Sequence, residues 1–271
     1  DIGMKKILAL LLALSMALGL AACSGQDGKE SDNSGDSDLA YIQEKGTLVV
    51  GITEFEPMDY TDADGNWIGF DADMARAFAE SLGVEAQFQV IADWDSKVME
   101  LEGKTVDVVW NGMTLTEDVL TAMECSNPYF SNGQVVIVPA DKAGDYQTEE
   151  SLADLQFAVE NGSAGQEELD RLGYSYTPVQ DQATALMEVA AGTSDAAVVD
   201  YLMAAAMTGE GTSYEDLAYT VQLNSEEYGV GFRKGSDLAA ELNQFFQEQY
   251  ASGEMQKIAD KYNIADKLIE Q

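Results

Sequence analysis

Apolar and polar positions alternate along this chain in two rounds of the same pattern. Thr47-Leu48-Val49-Val50-Gly51-Ile52 is a short apolar run of the kind that forms a buried strand. Asp62-Ala63-Asp64-Gly65-Asn66, between Tyr60 and Trp67, reads as a hairpin turn. It is not a calcium loop, because its glycine falls too early for an EF-hand and no Glu closes it in register. From Asp71, the residues Met74, Ala75, Phe78, Ala79 and Leu82 recur at helical spacing, and Gly83 closes the helix. The pattern then predicts strands over 86–90, 106–110 and 133–138, with a helix over 96–101. The second round predicts strands over 156–159, 196–199, 218–221 and 230–232. Its helices fall over 164–172, 183–191 and 201–207, and two more, 238–250 and 255–262, end the chain. Strand–helix alternation implies mostly parallel sheets covered by helices, and two rounds of it imply two similar α/β lobes.

The N-terminus does not share this pattern. Lys5 and Lys6 precede an apolar run over 7–20 that is short for a membrane span, and it ends Leu20-Ala21-Ala22-Cys23. This arrangement resembles the lipobox of bacterial lipoproteins, so residues 1–22 are expected to be a signal peptide and Cys23 to carry a lipid. The stretch from Ser24 to Asp38 has no apolar side chain to bury. Residues 23–38 are therefore expected to be a flexible tether, with the folded part starting near Leu39.

Charge and composition narrow the chemistry. The formal charge is −35, from 49 acidic and 14 basic residues. This excludes nucleic acid as a partner, since phosphate contacts need clustered Lys and Arg. It also disfavours docking on anionic lipid, which leaves the lipid anchor to make the membrane attachment. The chain has no histidine, which removes His-based triads and His metal ligands together. With Cys23 lipidated, Cys125 stands alone, and it reads as a half-buried small hydrophobe.

In open α/β sheets, ligands bind beyond the carboxyl ends of the strands. The polar residues at those ends are Glu54 after the first strand, Asn111 and Thr114 after 106–110, Gly162 and Ser163 after 156–159, and Asp200 after 196–199. Polar residues at four strand ends, divided between two lobes, suggest a cleft lined from both sides. Gly162-Ser163 either turns the chain and caps the next helix or offers free amides to an anion. Asp200 is either a helix N-cap or a carboxylate suited to an ammonium group. Trp94, in the polar stretch Asp93-Trp94-Asp95, is a candidate stacking surface.

These residues resemble a known family, the extracellular solute-binding proteins of family 3, which are amino-acid receptors of bacterial ABC importers. The likeness rests on Gly46-Thr47-Leu48-Val49-Val50-Gly51, Glu56-Pro57-Met58, Gly69-Phe70-Asp71 and Asn111-Gly112-Met113-Thr114-Leu115-Thr116-Glu117. Ser126-Asn127-Pro128-Tyr129 and Asp195-Ala196-Ala197-Val198-Val199-Asp200 extend it. It implies a periplasmic-binding-protein type II fold: two α/β lobes joined by a two-strand hinge. Lobe one would take 39–130 and 228–271, and 131–227 would hold the hinge and lobe two. By the same likeness Thr114 contacts the main-chain groups of an amino acid, the Gly162-Ser163 turn its carboxylate and Asp200 its ammonium. Trp94 would pack on its side chain.

The family pattern places an arginine that grips the ligand's α-carboxylate where this chain has Val119. Three readings are open. The ligand lacks that carboxylate; or Ser163, Thr114 and backbone amides hold it alone; or binding has been lost. The otherwise intact site favours the second. The resemblance implies a binding protein with no cofactor, a monomer lipid-anchored on the extracytoplasmic face of the cell membrane. Its partners would be a small solute, an amino acid or related amine, and an ABC permease. The competing classes are an enzyme on the same fold, resembling cyclohexadienyl dehydratase, and a sensory or scavenging lipoprotein.

Overall fold

The computed structural model describes residues 37–271. The expected signal peptide, the expected lipidation site Cys23 and most of the expected tether lie outside the described residues. The first element among the described residues is helix α1 (Asp38–Lys45), whose start is earlier than the polar composition suggested. Ser37 caps it by accepting from the Ala40 amide at 3.1 Å. Asp38, in its first turn, pairs with Arg233 at 3.0 Å. A residue assigned to the tether is thus tied to the far end of the fold.

Strand β1 (Thr47–Ile52) comes next, then the hairpin β2 (Tyr60–Thr61) and β3 (Trp67–Ile68). Asp62 organises the hairpin turn by accepting from the amides of Asp64 and Asn66, each at 2.9 Å. Helix α2 (Phe70–Ser81), β4 (Glu85–Val90), α3 (Lys97–Glu102), β5 (Val108–Thr114), α4 (Glu117–Ala122) and β6 (Glu124–Cys125) complete this stretch. The chain then makes β7 (Phe130–Asn132) and, after Gly133 alone, β8 (Gln134–Pro139). The second round is β9 (Phe157–Glu160), α5 (Ala164–Leu172), β10 (Tyr176–Val179), α6 (Gln182–Ala190), β11 (Ala196–Asp200) and α7 (Tyr201–Met207). The chain closes with β12 (Leu217–Gln222), β13 (Glu226–Phe232), α8 (Leu238–Ser252) and α9 (Glu254–Lys261).

Apart from the β2–β3 hairpin, the strands form two sheets, one per lobe. The first runs β4-β1-β5-β13-β6, with β7 also pairing β13, and the second runs β10-β9-β11-β8-β12. In each, three strands are parallel, β4, β1 and β5 in one and β10, β9 and β11 in the other. The rest are antiparallel, because the strands that pass between the sheets must run back along them. The expectation of mostly parallel sheets therefore holds only for the first strands of each round. Along β5, Val108 and Trp110 face one core, against the aromatic cluster of Phe78, Phe245 and Phe246. Val109 and Met113 face another, with Trp94, Leu101 and Val119. The alternation is what a strand buried on both faces requires.

Two differences from the sequence-based expectation matter for the site. The strand expected over 106–110 is Val108–Thr114, so Asn111, Gly112 and Thr114 lie on the strand instead of after it. The cause is pairing from far along the chain: β13 sets Gly229 opposite Met113 and Tyr228 opposite Thr114. The strand expected over 230–232 is correspondingly longer, Glu226–Phe232. The chain changes sheet at Gly133 and again between Gln222 and Glu226, and these crossings lie side by side. An ideal Cβ on Gly133 would stand 2.7 Å from the Asn224 carbonyl oxygen.

Candidate functional site

A cavity of about 330 Å³ lies between the lobes, at the size expected for a small solute. Six of the seven residues singled out from strand ends and loops line it: Trp94, Asn111, Thr114, Gly162, Ser163 and Asp200. Glu54 does not. Its carboxylate turns to the hairpin, accepting from the Thr61 amide and hydroxyl at 3.2 and 3.3 Å. The lobes touch across the cleft, where the Asn161 side-chain amide donates to Asp93 at 3.1 Å.

On the second lobe, Ser163 and Asp200 sit at the ends of strands β9 and β11. Ser163 caps α5, its hydroxyl accepting from the Gln166 amide at 3.2 Å. The Gly162 amide donates to the Gln166 side chain at 2.6 Å. Among the described residues the Ala164 amide has no protein acceptor, and Ala164 lines the cavity, so the helix start keeps a donor there. Asp200 precedes α7 without capping it with its side chain. Its carboxylate instead accepts from Gln134 at 2.8 Å, Gln182 at 3.0 Å and the Tyr228 hydroxyl at 2.6 Å. Burial, then the charge of Glu226, pushes its pKa up to about 7, against the pull of those three donors. Glu160, at the end of β9, is pushed well above the usual carboxylate range by burial and then by Asp200.

On the first lobe, the side chains are more committed to the scaffold than strand-end logic suggests. The Asn111 side chain accepts from the Thr53 amide at 2.8 Å and donates to the Thr53 hydroxyl at 2.7 Å, tying β5 to the end of β1. The Thr114 hydroxyl donates to Glu226 at 2.9 Å, so what it offers a ligand is a lone pair. Trp94 is buried, with the Lys97 ammonium 4.9 Å from its ring centroid. Val119 is buried in the same apolar cluster as Trp94 and lines the cavity. None of the three arginines lines it. Arg233 pairs with Asp38 and Asp107, while Arg76 and Arg171 lie beside Asp73 and Glu168.

Behind the cavity, Glu226 joins the crossing strands. One of its oxygens accepts from Thr114, from Asn132 at 2.7 Å and from Gln134 at 2.7 Å, and the other accepts from Asn224 at 3.0 Å. Because Gln134 also donates to Asp200, the crossing strands and the cavity wall share one hydrogen-bond network.

Four residues of this arrangement are not marked by strand-end or motif logic: Lys97, Glu160, Gln182 and Glu226. Lys97 has a local signal. It lies four residues before Leu101, which is 1% exposed, so the two share a helix face. Glu160 ends the buried run Phe157–Glu160, where alternation alone does not separate cavity from core. Gln182 and Glu226 act through partners distant in sequence, which no local pattern reveals.

The family of "Bacterial extracellular solute-binding proteins, family 3" matches residues 48–265. The L-cystine-binding protein TcyJ of Escherichia coli is 29% identical over 259 residues, covering 94% of this chain and 96% of that protein. The arginine-binding extracellular protein ArtP of Bacillus subtilis is 29% identical over 274 residues, covering 97% and 100%. Among solved structures, a mutant of ArgBP from T. maritima superposes with a TM-score of 0.78 at 31% identity, covering 83% of this chain and 99% of that one.

Proposed function

Since the chain belongs to the bacterial extracellular solute-binding proteins of family 3, with the two-lobed type II periplasmic-binding-protein fold, we propose that its cavity takes up an amino acid or a close amine-bearing relative. The protein is the substrate-binding component of an ABC importer for amino acids or similar small solutes, and it binds its solute without transforming it. In our reading lobe one comprises 39–130 and 228–271, lobe two and the hinge fill 131–227, and the crossing strands bend to open and close the cleft. Asp200 holds the ligand's ammonium, the start of α5 at Ser163 its carboxylate end, and Thr114 adds an acceptor. Trp94 limits the room for the ligand's side chain. We place the protein as a monomer outside the cell membrane, tethered through Cys23 and delivering to a permease within the tether's reach.

The observation that supports this reading best is the joint placement of Asp200 and the α5 start on one wall, facing Trp94 and Thr114 on the other, around about 330 Å³. That volume suits one small molecule and not a peptide or a polymer. The test is a thermal-shift panel of amino acids, dipeptides and amines on the soluble chain, since a ligand that binds only the folded state raises its stability by mass action. Stabilisation by one or a few amino acids is the expected result. Stabilisation by dipeptides alone would sink the assignment.

A further inference from the structure

Among the described residues, Lys97 is the only cation that lines the cavity, whose walls also carry the carboxyl groups of Asp95, Asp118, Glu160, Glu167, Asp170 and Asp200. It opens helix α3 and is 8% exposed, an unusual position for a lysine. Among the described residues its ammonium makes one hydrogen bond, to the Trp94 carbonyl at 3.4 Å, and no ion pair within 4.0 Å. An ammonium has three donors, so two are left without an acceptor from the protein. Leaving a buried charge with so few partners is expensive. Burial accordingly lowers its pKa, while Glu160, Asp95, Glu167 and Asp118 act at longer range to keep it charged.

If Lys97 merely neutralised this acidic wall, it would close on one carboxylate. Lysines elsewhere in the molecule do so: Lys45 meets Asp107 at 2.5 Å and Lys261 meets Asp73 at 2.8 Å. Lys97 is held off from all of them and lies over the Trp94 ring. Trp94 packs in one apolar cluster with Val98 and Val119, and all three line the cavity. An anionic group entering from that side has one side-chain cation to meet.

We propose that Lys97 joins the start of α5 in holding the carboxylate of the bound solute, in the role a guanidinium at position 119 would otherwise fill. The solute is then a zwitterion, with its ammonium toward Asp200 and its carboxylate toward Lys97, and not a plain amine. This deepens the amino-acid reading above and rests on it. It also explains how a carboxylate is accepted opposite Val119 inside a site so rich in negative charge.

The test uses ligand pairs that differ only in carboxyl groups: arginine with agmatine, histidine with histamine, and cystine with cystamine. Each is titrated calorimetrically into the wild type, Lys97→Gln and Lys97→Arg. The wild type should bind at least one amino acid and prefer it to its decarboxylated partner. Lys97→Gln should weaken that amino acid about a hundredfold, the scale of losing a charge-assisted hydrogen bond in a closed site, while changing the amine by less than about threefold. Lys97→Arg should recover most of the loss. The ligand-free melting temperature of Lys97→Gln should not fall, because the variant removes a poorly partnered buried charge. Unchanged amino-acid affinity in Lys97→Gln, or equal weakening of amino acid and amine, would overturn the role of Lys97 and leave the amino-acid reading standing. A wild type that binds only the amines, or that no amino acid of the thermal-shift panel stabilises, would overturn both.

Discussion

An ideal Cβ on Gly162 would stand 2.7 Å from the Cα of Asp95, which belongs to the opposite lobe. The glycine also has φ of 71°, a conformation that side chains disfavour. Both constraints act at the point where the lobes meet. Gly162→Ala should therefore obstruct closure and weaken ligand binding at least tenfold by calorimetry, an overpacking cost of about 1–3 kcal/mol. Gly65→Ala is the control, since Gly65 shares the positive φ of 79° but would meet nothing within 4 Å. Equal effects on affinity would show that backbone strain, not contact between lobes, is responsible.

Much of the cleft is legible in the sequence because binding residues come directly after strands with strong apolar signals. The run from Ala196 to Val199 is buried, and the acid that ends it, Asp200, reaches the cavity. Thr114 is identifiable even though the apolar signal of its strand ends four residues early, because the polar stretch after Trp110 stands out either way. Glu54 shows how the same logic fails. It too comes after an apolar strand, but the hairpin folds back and Thr61 supplies it with local donors. Lys97 is missed for the opposite reason. One lysine at a helix start reads as solvated unless its spacing from buried Leu101 is weighed, and two of the carboxylates that act on it, Asp118 on α4 and Glu160 on β9, are distant in sequence.

The carboxyl of Asp200 titrates near neutrality, with a pKa of about 7 set first by burial and then by Glu226. Its folded pKa is above the unfolded value of about 3.9. Its contribution to the stability of the free protein is thus full below about pH 4 and is lost as pH rises through about 7. A ligand ammonium beside Asp200 favours the ionised form and reverses the preference. Affinity should then increase between pH 6 and pH 8, with a proton released on binding. Calorimetry in phosphate and in Tris, which differ in ionisation enthalpy, measures that proton. Glu160 is pushed in the same direction and adds to the release. In Asp200→Asn the pH dependence should shrink and affinity should fall. A pH-independent affinity in the wild type would contradict the ammonium assignment.

Glu226 accepts from Thr114 on β5, from Asn132 and Gln134 on one crossing, and from Asn224 on the other. Glu226→Leu leaves these donors without their shared acceptor. It should destabilise the protein by about 3 kcal/mol, on the scale of a few unsatisfied polar groups. Glu226→Gln keeps an acceptor oxygen and should lose less than half as much. Urea unfolding of the three proteins decides the point, and equal losses in both variants would show that the network is not what matters.

Asp59 is completely buried, and among the described residues neither of its carboxylate oxygens has a hydrogen-bond donor. Its neighbour Asp71 is better served, accepting from the Gly112 amide at 2.6 Å and the Tyr129 hydroxyl at 2.8 Å. Burial and then the charge of Asp71 raise the Asp59 pKa well above the usual range. A folded-state pKa above the unfolded one means stability that is fully present below about pH 4 and declines as pH rises. Asp59→Asn removes the charge and the repulsion with Asp71 while keeping the shape. It should be more stable than the wild type by about 1–3 kcal/mol at pH 8, the range for relieving an unsatisfied buried group. Near pH 4, where Asp59 is protonated in the folded chain and about half protonated in the unfolded one, the advantage should nearly vanish. Melting curves from pH 4 to pH 8 test this. Parallel curves for the two proteins would mean that Asp59 finds a partner in solution and carries no such penalty.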